Sequence, residues 1–286
     1  MSLTSNQNQF NSWHGKINLI YANQNNTTKI THNHTQAPLK IQQPFYPEGP
    51  EICHSVILHT AGGIVGGDQL SYNIHLQPNT HALITNTSAT KIYRSPEKTA
   101  HQTINIKLDN NAHLEWLPQE TIIFKNAKFR QDIKIELQPK STILLWEINR
   151  FGRTARGETF TTGHWRSNIE IWQQNQPLWI DRQQLIGSPQ TINSQHTLAG
   201  FPLTGTLTYI GNPISTETLQ KIRQLSPQNP NPNQHQTGIT RLPNGLICRY
   251  RGHSTPENRT WFINIWDILR QTYQNRPNCP PRVWPL

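Results

Sequence analysis

Ser55-Val56-Ile57-Leu58-His59-Thr60-Ala61-Gly62-Gly63-Ile64-Val65-Gly66-Gly67-Asp68-Gln69-Leu70-Ser71-Tyr72-Asn73-Ile74-His75-Leu76 decides how the rest of the chain is read. Ser55 to Leu58 has the composition of a buried strand, and Leu70, Tyr72, Ile74 and Leu76 alternate with Ser71, Asn73 and His75 at the period of a strand with one face in water. Between them stand Gly62, Gly63, Gly66 and Gly67, two pairs separated by β-branched residues and closed by Asp68. Glycine lets the backbone turn sharply or approach another group closely, because no Cβ stands in the way. A glycine-rich phosphate cradle opens a helix, and its triphosphate form ends in Gly-Lys-Ser/Thr. Here the loop joins strand to strand and lacks that ending, so the four glycines read as a structural corner.

The same strand signals recur on both sides. Upstream, Gly15 to Tyr21 reads as a strand and Asn23 to Thr28 as a turn; Pro44 to Pro50 fixes an irregular path. Downstream, Ile104 to Leu108 and Ile133 to Leu137 alternate, whereas Thr142 to Trp146 is continuous and therefore buried on both faces. A hairpin is predicted about Asn175-Gln176-Pro177, and another at Leu242-Pro243-Asn244-Gly245-Leu246. The period changes only late. Thr216 to Leu225 has helical spacing after a Ser215 or Thr216 cap, and a second helix starts at Thr255 with Pro256 at its first position, burying Phe262, Ile265, Leu269 and Tyr273. Ser226 to Gln236 is a Pro/Asn/Gln tract read as a flexible insertion, and residues 1–11 as disordered. The expectation is a mainly β, mostly antiparallel protein with two short helices near the C-terminus and one domain over 1–286.

Composition narrows the function. The 286 residues carry 26 Lys and Arg against 16 acidic residues, a net charge of +10 and an isoelectric point near 9.7. That balance favours an acidic partner. The basic residues are dispersed, without the interleaved aromatics of a nucleic-acid groove, so a nucleic-acid module would rest on charge alone. Mean hydropathy is −0.68, and no apolar run is long enough to span a bilayer. With no basic cluster and apolar run at its start, the chain is expected to be soluble and cytoplasmic. Cys53, Cys248 and Cys279 are widely spaced and indicate neither a disulfide framework nor a closed zinc site.

Candidate chemistry is sparse. His32 and His34 would share one strand face. Cys53 and His59 would share a face about 20 Å apart at strand rise, too far to chelate one ion. Glu115 and Glu120 flank a Trp-Leu-Pro bend as a possible acid–base pair without a nearby nucleophile. Arg150, Arg153 and Arg156 lie in a Gly-containing loop that either binds an anion or pairs Arg156 with Glu158. A phosphate-ester or nucleotide-dependent enzyme using the Gly corner and this Arg loop is therefore the alternative reading.

Seven stretches in order then carry a resemblance: Pro38-Leu39-Lys40, Pro44 to Gly49, Ile57 through Asp68, Lys91 to Ser95, Leu114 to Thr121, Gly152-Arg153 to Gly157-Glu158, and Pro281 to Trp284. Together they resemble the urease accessory protein UreD (UreH) family. The sequence departs from the family pattern at Gln42-Gln43 and at Thr87-Ser88. The resemblance implies a non-enzymatic maturation factor that joins UreF and the GTPase UreG, docks on apo-urease and helps deliver nickel, a transient cargo with no tightly bound cofactor. It also implies an elongated, β-helix-like stack, and a polar internal tunnel to which Asp68, Glu120 and Glu158 would offer oxygen ligands. Weak oxygen donors suit a conduit, which must release the ion.

Overall fold

The computed structural model describes residues 12–95, 97–226 and 234–284. The segment 1–11 and positions 227–233 of the expected insertion lie outside them. In chain order the strands are β1 (His14–Gln24), β2 (Thr27–Gln36), β3 (Leu39–Ile41), β4 (Ile52–His59), β5 (Gln69–Leu76), β6 (His81–Asn86), β7 (Thr90–Ile92), β8 (Ala100–Leu108), β9 (His113–Trp116), β10 (Thr121–Ile123), β11 (Lys128–Leu137) and β12 (Thr142–Phe151). They continue with β13 (His164–Gln173), β14 (Gln176–Ile186), β15 (Leu203–Ile210), β16 (His235–Leu242) and β17 (Gly245–Gly252). The helices are α1 (Pro189–Asn193), α2 (Thr216–Gln224) and α3 (Thr255–Gln274).

From β4 to β13 the chain crosses at each corner between two sheets. β5, β8, β11 and β13 stack in parallel in one, with β1 beside β5. β4, β6, β9 and β12 stack in parallel in the other. The result is a β-solenoid-like stack of about four turns, mainly β with helices near the C-terminus. The expectation of mostly antiparallel pairing is corrected here. Antiparallel pairs occur at the ends, in β1–β2, β3–β4, β13–β14 and the β12–β15–β17–β16 extension. Alternation of apolar and polar residues is the same in both senses of pairing, so the winding was not legible from it.

The two patterns of strand composition have one cause. The first sheet, in the order β14-β13-β11-β8-β5-β1-β2, buries one face and wets the other. On its wet face Asn105 donates to Asn73 at 3.1 Å and Asn73 to Asn18 at 2.8 Å, a side-chain ladder across parallel strands. The second sheet is covered twice, by the first sheet inside and by α2 and α3 outside. Hence β4 and β12 are buried along almost their whole length. Trp146 of β12 lies among Phe262, Trp266 and Trp284. Each such ring contributes roughly 1.5–3 kcal/mol by leaving water.

The helix reading holds to within about a residue. Ser215 caps α2, accepting from Thr218 N, and Ser254 rather than Thr255 caps α3, accepting from Glu257 N. α3 is a full 20 residues rather than short, and α1 was not anticipated. His235 and Gln236, assigned by sequence to the insertion, instead open β16 and pair with Gly252 and Arg251. Among the described residues no helix is long and apolar enough to cross a membrane.

Candidate functional site

The Gly corner carries the chain from β4 in one sheet to β5 in the other. Ile64 forms a parallel bridge with Ile92, its N–H donating to Lys91 O and its carbonyl accepting from Tyr93 N, both at 2.8 Å. A Cβ on Gly63 would sit 2.7 Å from Lys91 O, and one on Gly66 would sit 1.8 Å from Ser95 Oγ and 2.3 Å from Lys98 O. Gly67 has φ +95°. Two glycines thus let adjacent corners touch backbone to backbone. Gly66→Ala is expected to cost roughly 1–3 kcal/mol through overpacking, read as a lower midpoint of urea unfolding; an unchanged midpoint would contradict the contact. Asp68 is fully buried, with Oδ1 accepting from Trp13 N and Oδ2 from Val65 N, each at 2.9 Å.

Behind this corner a polar band crosses the otherwise apolar space between the sheets. Gln102 of β8, Gln131 of β11, Ser167 of β13 and Gln183 of β14 are successive register partners, so they line up on the inward face. Gln102 donates to Gln131 at 2.8 Å, and Gln131 donates in turn to the Glu147 carboxylate. Ser167 donates to Glu147 at 2.9 Å. Further along, Arg249 pairs with Asp181 at 2.9 Å and donates to Thr206 at 3.1 Å, while Gln183 donates to Asp181 at 2.8 Å. Burial pushes the Glu147 carboxyl up to about 7; Asp181 adds to the rise, and Ser167, Arg249 and Gln131 oppose it.

The band borders open space. A cavity of about 60 Å³ is lined by Gln102, Gln131 and Glu147 with Asn86, Gln119 and Asn149. That is room for a few waters at roughly 10–15 Å³ each. A second cavity, of about 260 Å³, shares Ile57, Tyr72, Asn86, Thr90 and Gln102 with the first and reaches His59, Gly62 and Gly63. His59 Nδ1 lies 2.9 Å from Ala61 O. A carbonyl only accepts, so a neutral ring carries its proton on Nδ1 and keeps a lone pair on Nε2. That Nε2 is buried with no hydrogen-bond partner among the described residues. Imidazole nitrogen at one end and amide and carboxylate oxygens at the other are donors of the kind that coordinate water or a divalent cation.

The carboxylates singled out by sequence lie elsewhere. Neither Asp68, Glu120 nor Glu158 lines either cavity. Glu120 pairs with Arg259 of α3. Glu158 accepts from Arg153 and from Lys125 N; burial alone would raise its carboxyl, but these bonds hold it below the ordinary range. Arg150 donates to Thr255 Oγ1, Thr154 Oγ1 and His253 O. Two of the three arginines of the supposed anion loop are thereby committed to the protein itself. Glu115 and Glu120 likewise face separate arginines of α3 rather than one another's chemistry.

The ordered motifs can now be set against known proteins. The family model described as "UreD urease accessory protein" matches residues 14–285. A urease accessory protein UreD of Nostoc sp. is 57% identical over 272 residues, covering 95% of this chain and 96% of the relative. The chain belongs to the UreD family. UreD relatives in Trichormus variabilis and Acaryochloris marina are 55% and 52% identical, each over 98% of both chains. The UreD match includes the Gly corner, both cavities and α3. Sequence reading of this UreD chain passed over Gln102, Gln131 and Glu147. The signal was present: Gln102 shares the parity of Ile104, Ile106 and Leu108, and Gln131 that of Ile133 and Ile135. A polar residue at a core-facing position needs partners, and those partners mark the interior band.

Proposed function

We propose that this chain is a non-enzymatic urease maturation factor, a scaffold that joins UreF and the GTPase UreG to apo-urease in the cytoplasm and helps deliver nickel(II). The observation that carries the reading is a pair of cavities between the sheets that share Ile57, Tyr72, Asn86, Thr90 and Gln102, one reaching His59 at the Gly corner and the other Glu147, in a chain that matches the UreD model over 14–285. Nickel accepts imidazole nitrogen and, transiently, carboxylate and amide oxygen. No side chain on this route is a strong thiolate ligand, so the ion is held weakly and passed on. Within the proposal Asp68, Glu120 and Glu158 bear on the ion through the corner, the helix contact and the Arg loop that they fix, and Glu147 is the carboxylate that meets it.

Apo-urease co-expressed with UreF and UreG, with and without this chain, tests the reading. The expected result is active, nickel-loaded urease only when the chain is present. Equal activity and nickel content in both cases would sink it. Nothing favours the nucleotide reading: the corner opens onto a strand, and its glycines are spent on close contact with Lys91, Ser95 and Lys98.

A further inference from the structure

Away from the two cavities, one group of potential metal ligands stands out among the described residues: Glu48, His54 and Cys279, whose ligand atoms all lie within 4.8 Å of one another. We infer that these three side chains form a binding site for a borderline-soft divalent cation of the nickel, cobalt and zinc class. The inference does not depend on the delivery route proposed above.

The three residues come from distant parts of the chain and are held by separate means. His54 is on β4, in the doubly covered sheet, with Nε2 2.7 Å from Glu48 Oε1. Glu48 precedes β4 and is gripped from the other side by Arg270 of α3. Cys279 follows α3, and the chain before it is tied down twice: Pro277 O accepts from Arg270 Nη1 at 3.1 Å, and Asn278 N donates to Asp267 Oδ1 at 2.7 Å. The donors are therefore positioned before any ion arrives. Ligand atoms around a tetrahedral ion lie roughly 3.3–3.8 Å apart, given metal–ligand bonds of about 2.0–2.3 Å. The His54–Glu48 contact must open slightly and the sulfur close in, which side-chain rotation accomplishes.

Charge favours the ion. The Glu48 and Glu115 side chains are 9% and 3% exposed, and the single guanidinium between them, on Arg270, is 1% exposed. Two buried carboxylates thus share one guanidinium, so a divalent cation beside Glu48 meets an acidic setting. A divalent cation bound here displaces the Cys279 thiol proton to solvent and takes the His54 Nε2 lone pair, the ring proton then standing on Nδ1. Arg270 then holds the second Glu48 oxygen as an outer partner, the arrangement that orients carboxylate ligands in metal sites. Three protein donors leave a fourth position for water or an exchanging ligand. Cys53 and Cys248 are buried, and Cys279 alone of the three cysteines is partly accessible.

The test uses the full chain, reduced and stripped of metal. Cobalt(II) is expected to produce sulfur-to-metal charge-transfer absorption, and one equivalent of nickel(II) or zinc(II), but not magnesium(II), to slow iodoacetamide alkylation of Cys279 by about tenfold or more, read residue by residue in mass spectra. Cys279→Ser should abolish the absorption. His54→Gln, which keeps a donor for Glu48, should weaken metal affinity by roughly 10–100-fold with near-ultraviolet dichroism unchanged. Unaltered alkylation of the natural chain at saturating nickel and zinc would overturn the inference without any variant. So would charge-transfer absorption that survives Cys279→Ser, or full protection in His54→Gln. Failure of urease activation would bear on the proposed function alone.

Discussion

Arg270→Met is expected to lower the stability of the folded chain by about 3–5 kcal/mol, the usual cost of removing one partner from a buried ion pair. Arg270 donates to Glu115 through Nε at 2.7 Å and Nη2 at 2.6 Å, reaches Glu48 through Nη2 at 3.1 Å, and lies 4.8 Å from the centre of the Trp266 ring. Without it, Glu115 keeps only Trp266 Nε1, at 2.7 Å, and His81 as partners in the covered interior. The pH dependence gives the cause a signature. Burial would raise both carboxyls, but Arg270, with His54 at Glu48 and His81 at Glu115, holds them below their ordinary value of 4.5. A depressed folded pKa contributes stability above the unfolded pKa that is lost as pH falls. The natural chain should therefore lose this contribution below about pH 4.5, and its gap to Arg270→Met should narrow there. Urea unfolding at pH 7 and at pH 4 measures both. A loss under about 1 kcal/mol, or a gap unchanged by pH, would show that the cluster is not a compensated buried network.

Glu147→Gln should act in the opposite direction. The Glu147 carboxyl is raised from 4.5 to about 7, so between these values the folded chain binds a proton that the unfolded chain has released. The stability that this proton confers is complete below the unfolded pKa and is lost as pH rises through about 7, in total about 3 kcal/mol at roughly 1.4 kcal/mol per pH unit. Gln keeps an acceptor for Ser167 and Gln131 and carries no charge beside Asp181. The variant should thus gain on the natural chain by up to about 3 kcal/mol between pH 5 and pH 8 in unfolding experiments. Parallel stability curves across that window would mean that Glu147 is ionised without penalty. On the proposed nickel route, a cation entering the cavity competes with that proton.

The sequence showed which strands are covered once and which twice. Thr142 to Trp146 is continuous because α3 and the first sheet press on opposite faces of β12, and Leu70 to Leu76 alternates because β5 has one wet face. Winding direction was hidden for a different reason. Successive turns pair Gln69 with His101, His101 with Arg130 and Arg130 with Arg166, offsets of 32, 29 and 36 residues. No fixed period appears, so no repeat was visible. Of the site, the Gly corner was legible, since close backbone approach requires glycine. The Glu48–His54–Cys279 group was not, because the Cys53–His54–His59 stretch lacks chelating spacing and Cys279 arrives from beyond α3. Glu147 was missed because its partners Gln131, Ser167 and Asp181 belong to three other strands, brought together only by the stack.

In the function proposed above, nickel reaches urease through the space between the two sheets. Gln102 lines both cavities and faces inward from β8, so Gln102→Trp places a large ring where the two cavities meet and leaves the outer surfaces alone. Nickel per urease active site, measured in complexes that contain UreF, UreG and urease in the same recovered amounts as with the natural chain, tests the claim most directly. The account predicts a loss of about tenfold or more in nickel content with assembly unchanged. Full nickel loading with that space blocked would contradict it.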